Sequence, residues 1–232
     1  MLALGPALTL WSLMVPGAWA DDSKVNQINM SPGVTAVGQQ LFDLHMLIIE
    51  ISAVIGLLVF GVMFYSILYH RKSRGVTAST FHESTRVEIA WTLVPLIILV
   101  GIAVPATQTL LGARNLENAA IDIRITGYQW KWHYEYLDEN GENIKFFSQL
   151  STPRDEINNA EPKGEHYLLE VDEPLVIPVN TRVRLLLTAN DVAHAWWVPD
   201  LAVKKDAIPG LITEVITLPT SKGTYRGQCA QL

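Results

Sequence analysis

Hydrophobic positions follow two rhythms along this chain of 232 residues. The first half holds long unbroken apolar runs, and from Ile121 onward apolar and polar positions alternate. Ile51 to Tyr69 carries no formal charge. With Leu41–Ile49 ahead of it, this run exceeds the roughly 20 residues that a helix needs to cross a bilayer. Ile89 to Ala113 is a second uncharged run of sufficient length, with Pro95 and Pro105 inside it near Gly101 and Gly112. Spanning helices tolerate proline where neighbours satisfy the freed carbonyls, so the second helix is expected to pack on other protein. The spans are predicted at residues 41–69 and 89–113, joined by a loop over 70–88.

Ahead of the spans, Leu2 to Val15 is apolar but too short to cross. It leads to Ala18-Trp19-Ala20 before Asp21-Asp22, the small-residue pattern of a cleaved export signal over residues 1–20, with an uncleaved N-terminal anchor as the alternative. No Lys or Arg precedes the run, so the N-terminus is read as incomplete. Residues 21–40 form a short segment outside the membrane.

The second rhythm has period two. Ile121-Asp122-Ile123-Arg124-Ile125-Thr126 alternates strictly, as a half-buried strand does. Gln129 to Tyr136 is aromatic-rich and strand-like. Asp138-Glu139-Asn140-Gly141 is a hairpin signal, and Ser148 to Gly164, polar with Pro153 and Pro162, reads as an inserted loop. Further strands are predicted near Tyr167–Val171, Leu175–Val179, Arg182–Thr188, Ala195–Val198, Thr213–Leu218 and Thr224–Gln228. Many short strands without a helical pattern predict a sandwich or small Greek-key barrel over residues 114–232.

Charge adds orientation and excludes one partner class. The loop between the spans holds His70-Arg71-Lys72-Ser73-Arg74 and Arg86, whereas Asp21, Asp22 and Asp43 face a single Lys24 ahead of the uncharged Ile51–Tyr69 run. The positive-inside rule puts the loop in the cytoplasm and the β domain outside it, in the periplasm of a bacterium. The net charge of −6 argues against nucleic acid and permits a basic protein partner. One cysteine excludes an intrachain disulfide framework.

Candidate chemistry is sparse. Glu88 sits at the cytoplasmic mouth of the second span, either as an interfacial carboxylate or as a proton-intake group. His45 and Glu50 receive no role. His194 lies in Asp191-Val192-Ala193-His194-Ala195-Trp196-Trp197, and Cys229 lies in Gly227-Gln228-Cys229-Ala230-Gln231-Leu232. Alone, each is more often a packing residue. Together, a late-strand cysteine and an earlier loop histidine are the donor types that copper takes in β-barrel proteins. Two side-chain ligands are too few, so the missing donors are expected beyond Leu232.

Several stretches carry a specific resemblance: Val87-Glu88-Ile89-Ala90-Trp91-Thr92, Gly127-Tyr128-Gln129-Trp130-Lys131-Trp132, Asp191-Val192-Ala193-His194, Lys205-Asp206-Ala207-Ile208-Pro209-Gly210 and Gly227-Gln228-Cys229. With them, nearly the whole chain resembles subunit II of an aa3-type cytochrome c oxidase, most like the bacterial form. The resemblance implies a two-helix transmembrane hairpin followed by an all-β cupredoxin-like Greek-key barrel with a binuclear copper centre, CuA. It implies His194 and Cys229 as copper ligands and the backbone carbonyl of Gln231 as a third donor. The family's second Cys and its His and Met would follow Leu232, so the sequence is read as an incomplete record broken inside the motif. Gln231 stands where the family has Glu, which disfavours the Mg or Mn ion at the junction with subunit I, because hard cations prefer carboxylates.

By the same resemblance, Trp130 is where electrons enter from cytochrome c, although unaided it reads as a strand aromatic. Glu135, Asp172 and Asp191 match acidic docking positions, each of which alone reads as a solvated surface residue. Glu88 matches the mouth of a proton pathway. The implied activity is electron transfer to haem a in a proton-translocating terminal oxidase, beside subunits I and III, in a bacterial inner membrane. Oxygen chemistry belongs to subunit I. Two alternatives stand beside it: a quinol-oxidase subunit without copper, and a membrane-anchored mononuclear copper carrier.

Overall fold

The computed structural model describes residues 28–77, 80, 82–137 and 144–231. The expected export signal and the Asp138–Gly141 hairpin signal lie outside the described residues. Two long helices come first, α1 over Ala36–Tyr69 and α2 over Thr85–Ala113. At 1.5 Å per residue, their 34 and 29 residues extend about 50 Å and about 44 Å. Both are long and apolar enough to cross a hydrocarbon core of about 30 Å and project beyond it. A short 3-10 turn at Lys72–Arg74 follows α1.

α1 begins ahead of the apolar run because Thr35 starts it. Thr35 is extended, and its hydroxyl accepts from the Gly38 amide at 2.9 Å, satisfying one of the free donors of the first turn. The same hydroxyl donates to the Leu201 carbonyl at 3.3 Å, which ties the helix start to the β domain. Val34 N donates to the Asp200 carbonyl at 2.7 Å, and Thr220 N donates to the Val34 carbonyl at 2.8 Å. Past the end of α2, the Arg182 guanidinium donates to the carbonyls of Asn115 and Glu117, both at 3.0 Å. The start of α1 and the end of α2 therefore meet the β domain together. Glu88, in the first turn of α2, lies at the opposite end of the hairpin.

Among the described residues, eight strands follow: β1 Ile121–Tyr128, β2 Lys131–Leu137, β3 Ile144–Gln149, β4 Val183–Ala189, β5 His194–Val198, β6 Val203–Ala207, β7 Thr213–Thr217 and β8 Gln228–Cys229. A short helix, α3, occupies Arg154–Ile157 between β3 and β4. One sheet has the order β3-β2-β1-β4-β7 and the other β6-β5-β8. β4 returns beside β1, the placement of a Greek key, and pairs with it in parallel from Ile121↔Val183 to Gly127↔Ala189. The alternation in β1 and β4 turns Ile123, Ile125, Val183, Leu185 and Leu187 inward, all 0 % exposed. From the other sheet, Trp196, Val198, Val203 and Ala207 close the core. Across it, the Trp196 indole N–H donates to the Tyr134 hydroxyl at 3.1 Å. Burial pushes the Tyr134 phenol up to about 12.

Three predicted strands fall short. Tyr167–Val171 forms no strand beyond a single bridge from Val171 to Leu150. Leu168 has a φ of 63°, in the left-handed region that breaks an extended run. Leu175–Val179 belongs to no ladder, with Leu175 and Ile177 packed on the core beside an apolar groove of about 560 Å³. Of Thr224–Gln228, only Gln228 pairs, together with Cys229.

Candidate functional site

The site grows from two turns at one end of the β domain. β1 and β2 are joined by Gln129-Trp130, flanked by the pair Tyr128↔Lys131. The connection leaves the Trp130 ring 87 % exposed, although the residue is large and apolar. The second turn, between β4 and β5, carries Asp191 and leads into His194, the first residue of β5.

His194 is buried, at 8 % exposure. Its ring lies against Gly127, where an added Cβ would come within 2.7 Å of two ring carbons. Only glycine leaves the ring that space. The ring edge also meets Trp132, with centroids 5.7 Å apart at 64°. His194 Nε2 is 2.8 Å from Asp191 Oδ1. Asp191 accepts from two backbone amides as well, Val192 N at Oδ1 and Gln129 N at Oδ2, both at 2.7 Å. The His194 bond above all, then the Gln129 amide, hold the Asp191 carboxyl down at about 2.

Cys229 is a free, exposed thiol on β8. β8 pairs antiparallel with β5, Cys229 opposite Trp196 and Gln228 opposite Trp197. Ala230 N donates to the Ala195 carbonyl at 2.9 Å, so the run continues toward His194, and the next residue along it is Gln231. Gly227 allows the approach, since a Cβ there would run into the Trp197 carbonyl. β8 therefore carries Cys229 and Gln231 toward the His194 end of β5. An imidazole and a thiolate are donors that suit copper. Among the described residues, no group of three or more His, Cys, Asp and Glu side chains converges to hold a metal. The donors present fit copper in kind.

The acidic positions separate. Asp172 Oδ1 accepts from Gln149 N at 2.7 Å, and Gln149 pairs with Lys131 beside the Trp130 turn. That amide bond lowers the Asp172 carboxyl from its ordinary value. Asp172 and Asp191 thus belong to the end of the sheet that carries Trp130. Glu135 lies further along β2 with its side chain 7 % exposed, between Arg124 at 3.0 Å and Lys145 at 2.8 Å. Glu88 is exposed, and its amide bonds to the Ser84 carbonyl at 3.0 Å.

Comparisons with known proteins show the family. The family described as cytochrome c oxidase subunit II, transmembrane domain, matches residues 23–109, and its periplasmic domain matches residues 121–232. The subunit 2 protein of Cyanidium caldarium is 34 % identical over 91 % of this chain and 82 % of its own length. The chain belongs to the cytochrome c oxidase subunit II family. A probable cytochrome c oxidase subunit 2 of Rickettsia prowazekii is 40 % identical over 89 % of this chain. The matched part spans 64 % of that relative's length. The periplasmic domain of subunit II (CoxB) of Bradyrhizobium japonicum is 35 % identical over 51 % of this chain and 77 % of the solved one, with a TM-score of 0.42. The family is that of a membrane-bound subunit of a terminal oxidase complex, and this chain carries the expected pair of apolar helices before its β domain.

Sequence reasoning singled out His194 and Cys229 but gave no separate role to Gly127 and Gly227. Their signal was local: each glycine lies in a stretch that carries the family resemblance. The link from Asp191 to Gln129 left none, because the two are 62 residues apart.

Proposed function

We propose that this chain is an electron-accepting subunit II of a cytochrome c oxidase, set in a bacterial cell membrane with its β domain on the periplasmic side. Cytochrome c delivers one electron at Trp130, and the electron continues to haem a in subunit I, where oxygen is reduced. His194, Cys229 and the Gln231 carbonyl would hold copper of a CuA centre, which when bound supplies one-electron redox chemistry. Subunits I and III cover the hairpin. Glu88, at the cytoplasmic end of α2, is the intake group of a proton pathway.

One observation carries this reading. The turn that exposes Trp130 is tied to a buried histidine through one carboxylate: Asp191 accepts from the amide of Gln129, the residue before Trp130, at 2.7 Å and faces His194 Nε2 at 2.8 Å. A ring that protrudes this far adds nothing to the core, and it offers a flat contact for a redox partner. Asp172 and Asp191 give that end negative charge, which speeds encounter with a basic protein in a salt-dependent way. Arg124 and Lys145 offset the charge of Glu135, so its share in docking is the smallest of the three. Gln231 offers an amide in place of a carboxylate, and the non-redox Mg or Mn ion is weakly held or absent.

The test is copper analysis of the assembled oxidase containing this chain. Two coppers per subunit II, with a mixed-valence electron paramagnetic resonance signal, are expected. One copper with a mononuclear spectrum would favour the copper-carrier reading, and none the quinol-oxidase reading.

A further inference from the structure

Asp191 is more deeply engaged than a surface charge needs to be. Its side chain is 27 % exposed, and both oxygens are occupied. Oδ1 accepts from Val192 N at 2.7 Å and faces His194 Nε2 at 2.8 Å, while Oδ2 accepts from Gln129 N at 2.7 Å. An ionised carboxylate can only accept. The proton of a neutral His194 ring therefore sits on Nε2, and the lone pair sits on Nδ1. Ring packing on Gly127 and Trp132 limits rotation away from this state. The other oxygen fixes the amide immediately before Trp130.

We propose that Asp191 is a positioning residue: one carboxylate sets the ring orientation and tautomer of His194, presenting Nδ1 to the metal, and locks the Trp130 turn to that histidine. This rests on the reading of His194 as a copper ligand. A carboxylate behind a ligating imidazole fixes the tautomer and raises ligand basicity. What is particular here is that the same carboxylate also holds the turn through which the electron arrives. A shift of this side chain would disturb both the ligand and the point of contact. Electron transfer between them depends on a fixed separation, which two bonds to one rigid carboxylate preserve.

The test uses the metal-free full chain in lipid nanodiscs at pH 8, with nitrogen-15-labelled histidine. The unmodified chain is expected to show His194 as a single Nε2–H tautomer and a protected Gln129 amide. Asp191→Ala is expected to give a tautomer mixture and at least about tenfold faster Gln129 exchange. Asp172→Ala, which removes a similar loop carboxylate without a histidine partner, should move neither signal. Asp191→Asn can accept on one side only, so at least one of the two signals should move, and it serves if the alanine variant does not fold. Unchanged tautomer and exchange in the Asp191 variants would overturn the proposal. So would a variant whose only defect is a raised KM for cytochrome c at low salt, the mark of a docking charge. Failure of the copper reading shows separately, in the copper content of the unmodified oxidase.

Discussion

The hairpin and the β domain solve the same problem in opposite ways. In the β domain, Ile123, Ile125, Val183, Leu185 and Leu187 are wholly enclosed by this chain's own strands. In α1 and α2, large apolar residues face outward all round, Leu57 at 77 % exposure among them. Neither helix has a buried stretch in its apolar window. Such all-round exposure is stable only against lipid or other helices. The β domain is thus self-sufficient in apolar packing, while the hairpin depends on its surroundings. The junction bonds of Thr35, Val34 and Arg182 fix one to the other and so set where the β domain stands relative to the hairpin.

Substitutions can break this contrast, and the largest effect is expected in the core. Leu185→Ala should lower the unfolding free energy of the β domain by about 2–5 kcal/mol, read by tryptophan fluorescence in denaturant. Leu57→Ala should leave that transition within about 0.5 kcal/mol. Equal losses would mean that the helices share the core.

Tyr134→Phe should cost about 1–3 kcal/mol, because the buried Trp196 N–H loses its acceptor. This variant also tests a pH window. The folded state holds the Tyr134 phenol at about 12, against 10.0 ordinarily. The stability from keeping it protonated is complete below pH 10 and is lost as pH rises from 10 toward 12. Alkaline titration of the unfolding free energy should show a shallower fall over that window in the Phe variant.

The junction comes next. Thr35→Ala removes a helix cap and its bond to Leu201, at a cost of about 1 kcal/mol. The sign is faster exchange of the Gly38 amide without change in the β-domain transition. A slow Gly38 amide in the variant would place the restraint elsewhere.

The elements that were legible in the sequence are those whose signal is local. Uncharged runs gave the helices, and strict alternation gave β1. α1 starts at Ala36 rather than in the apolar run because Thr35 caps it, a choice made by contact with Leu201. β6 was unreadable, since Val203-Lys204-Lys205-Asp206-Ala207 looks like a charged loop and becomes a strand only by pairing with β5. Tyr167–Val171 looked like a strand and is broken at Leu168. His194 and Cys229 were visible as a soft-donor pair, and β5–β8 pairing puts them on neighbouring strands. The engagement of Asp191 depends on a contact made by folding.

The smallest expected change in stability belongs to Trp130, whose exposed ring contributes little to the fold, so Trp130→Ala should shift unfolding by no more than about 0.5 kcal/mol. Its functional effect should be large. The direct test is stopped-flow mixing of reduced cytochrome c with the assembled oxidase carrying Trp130→Ala. The initial electron uptake should collapse while copper content and its resonance spectrum stay as in the unmodified oxidase. Uptake at the unmodified rate would contradict this role and remove Trp130 from the electron path.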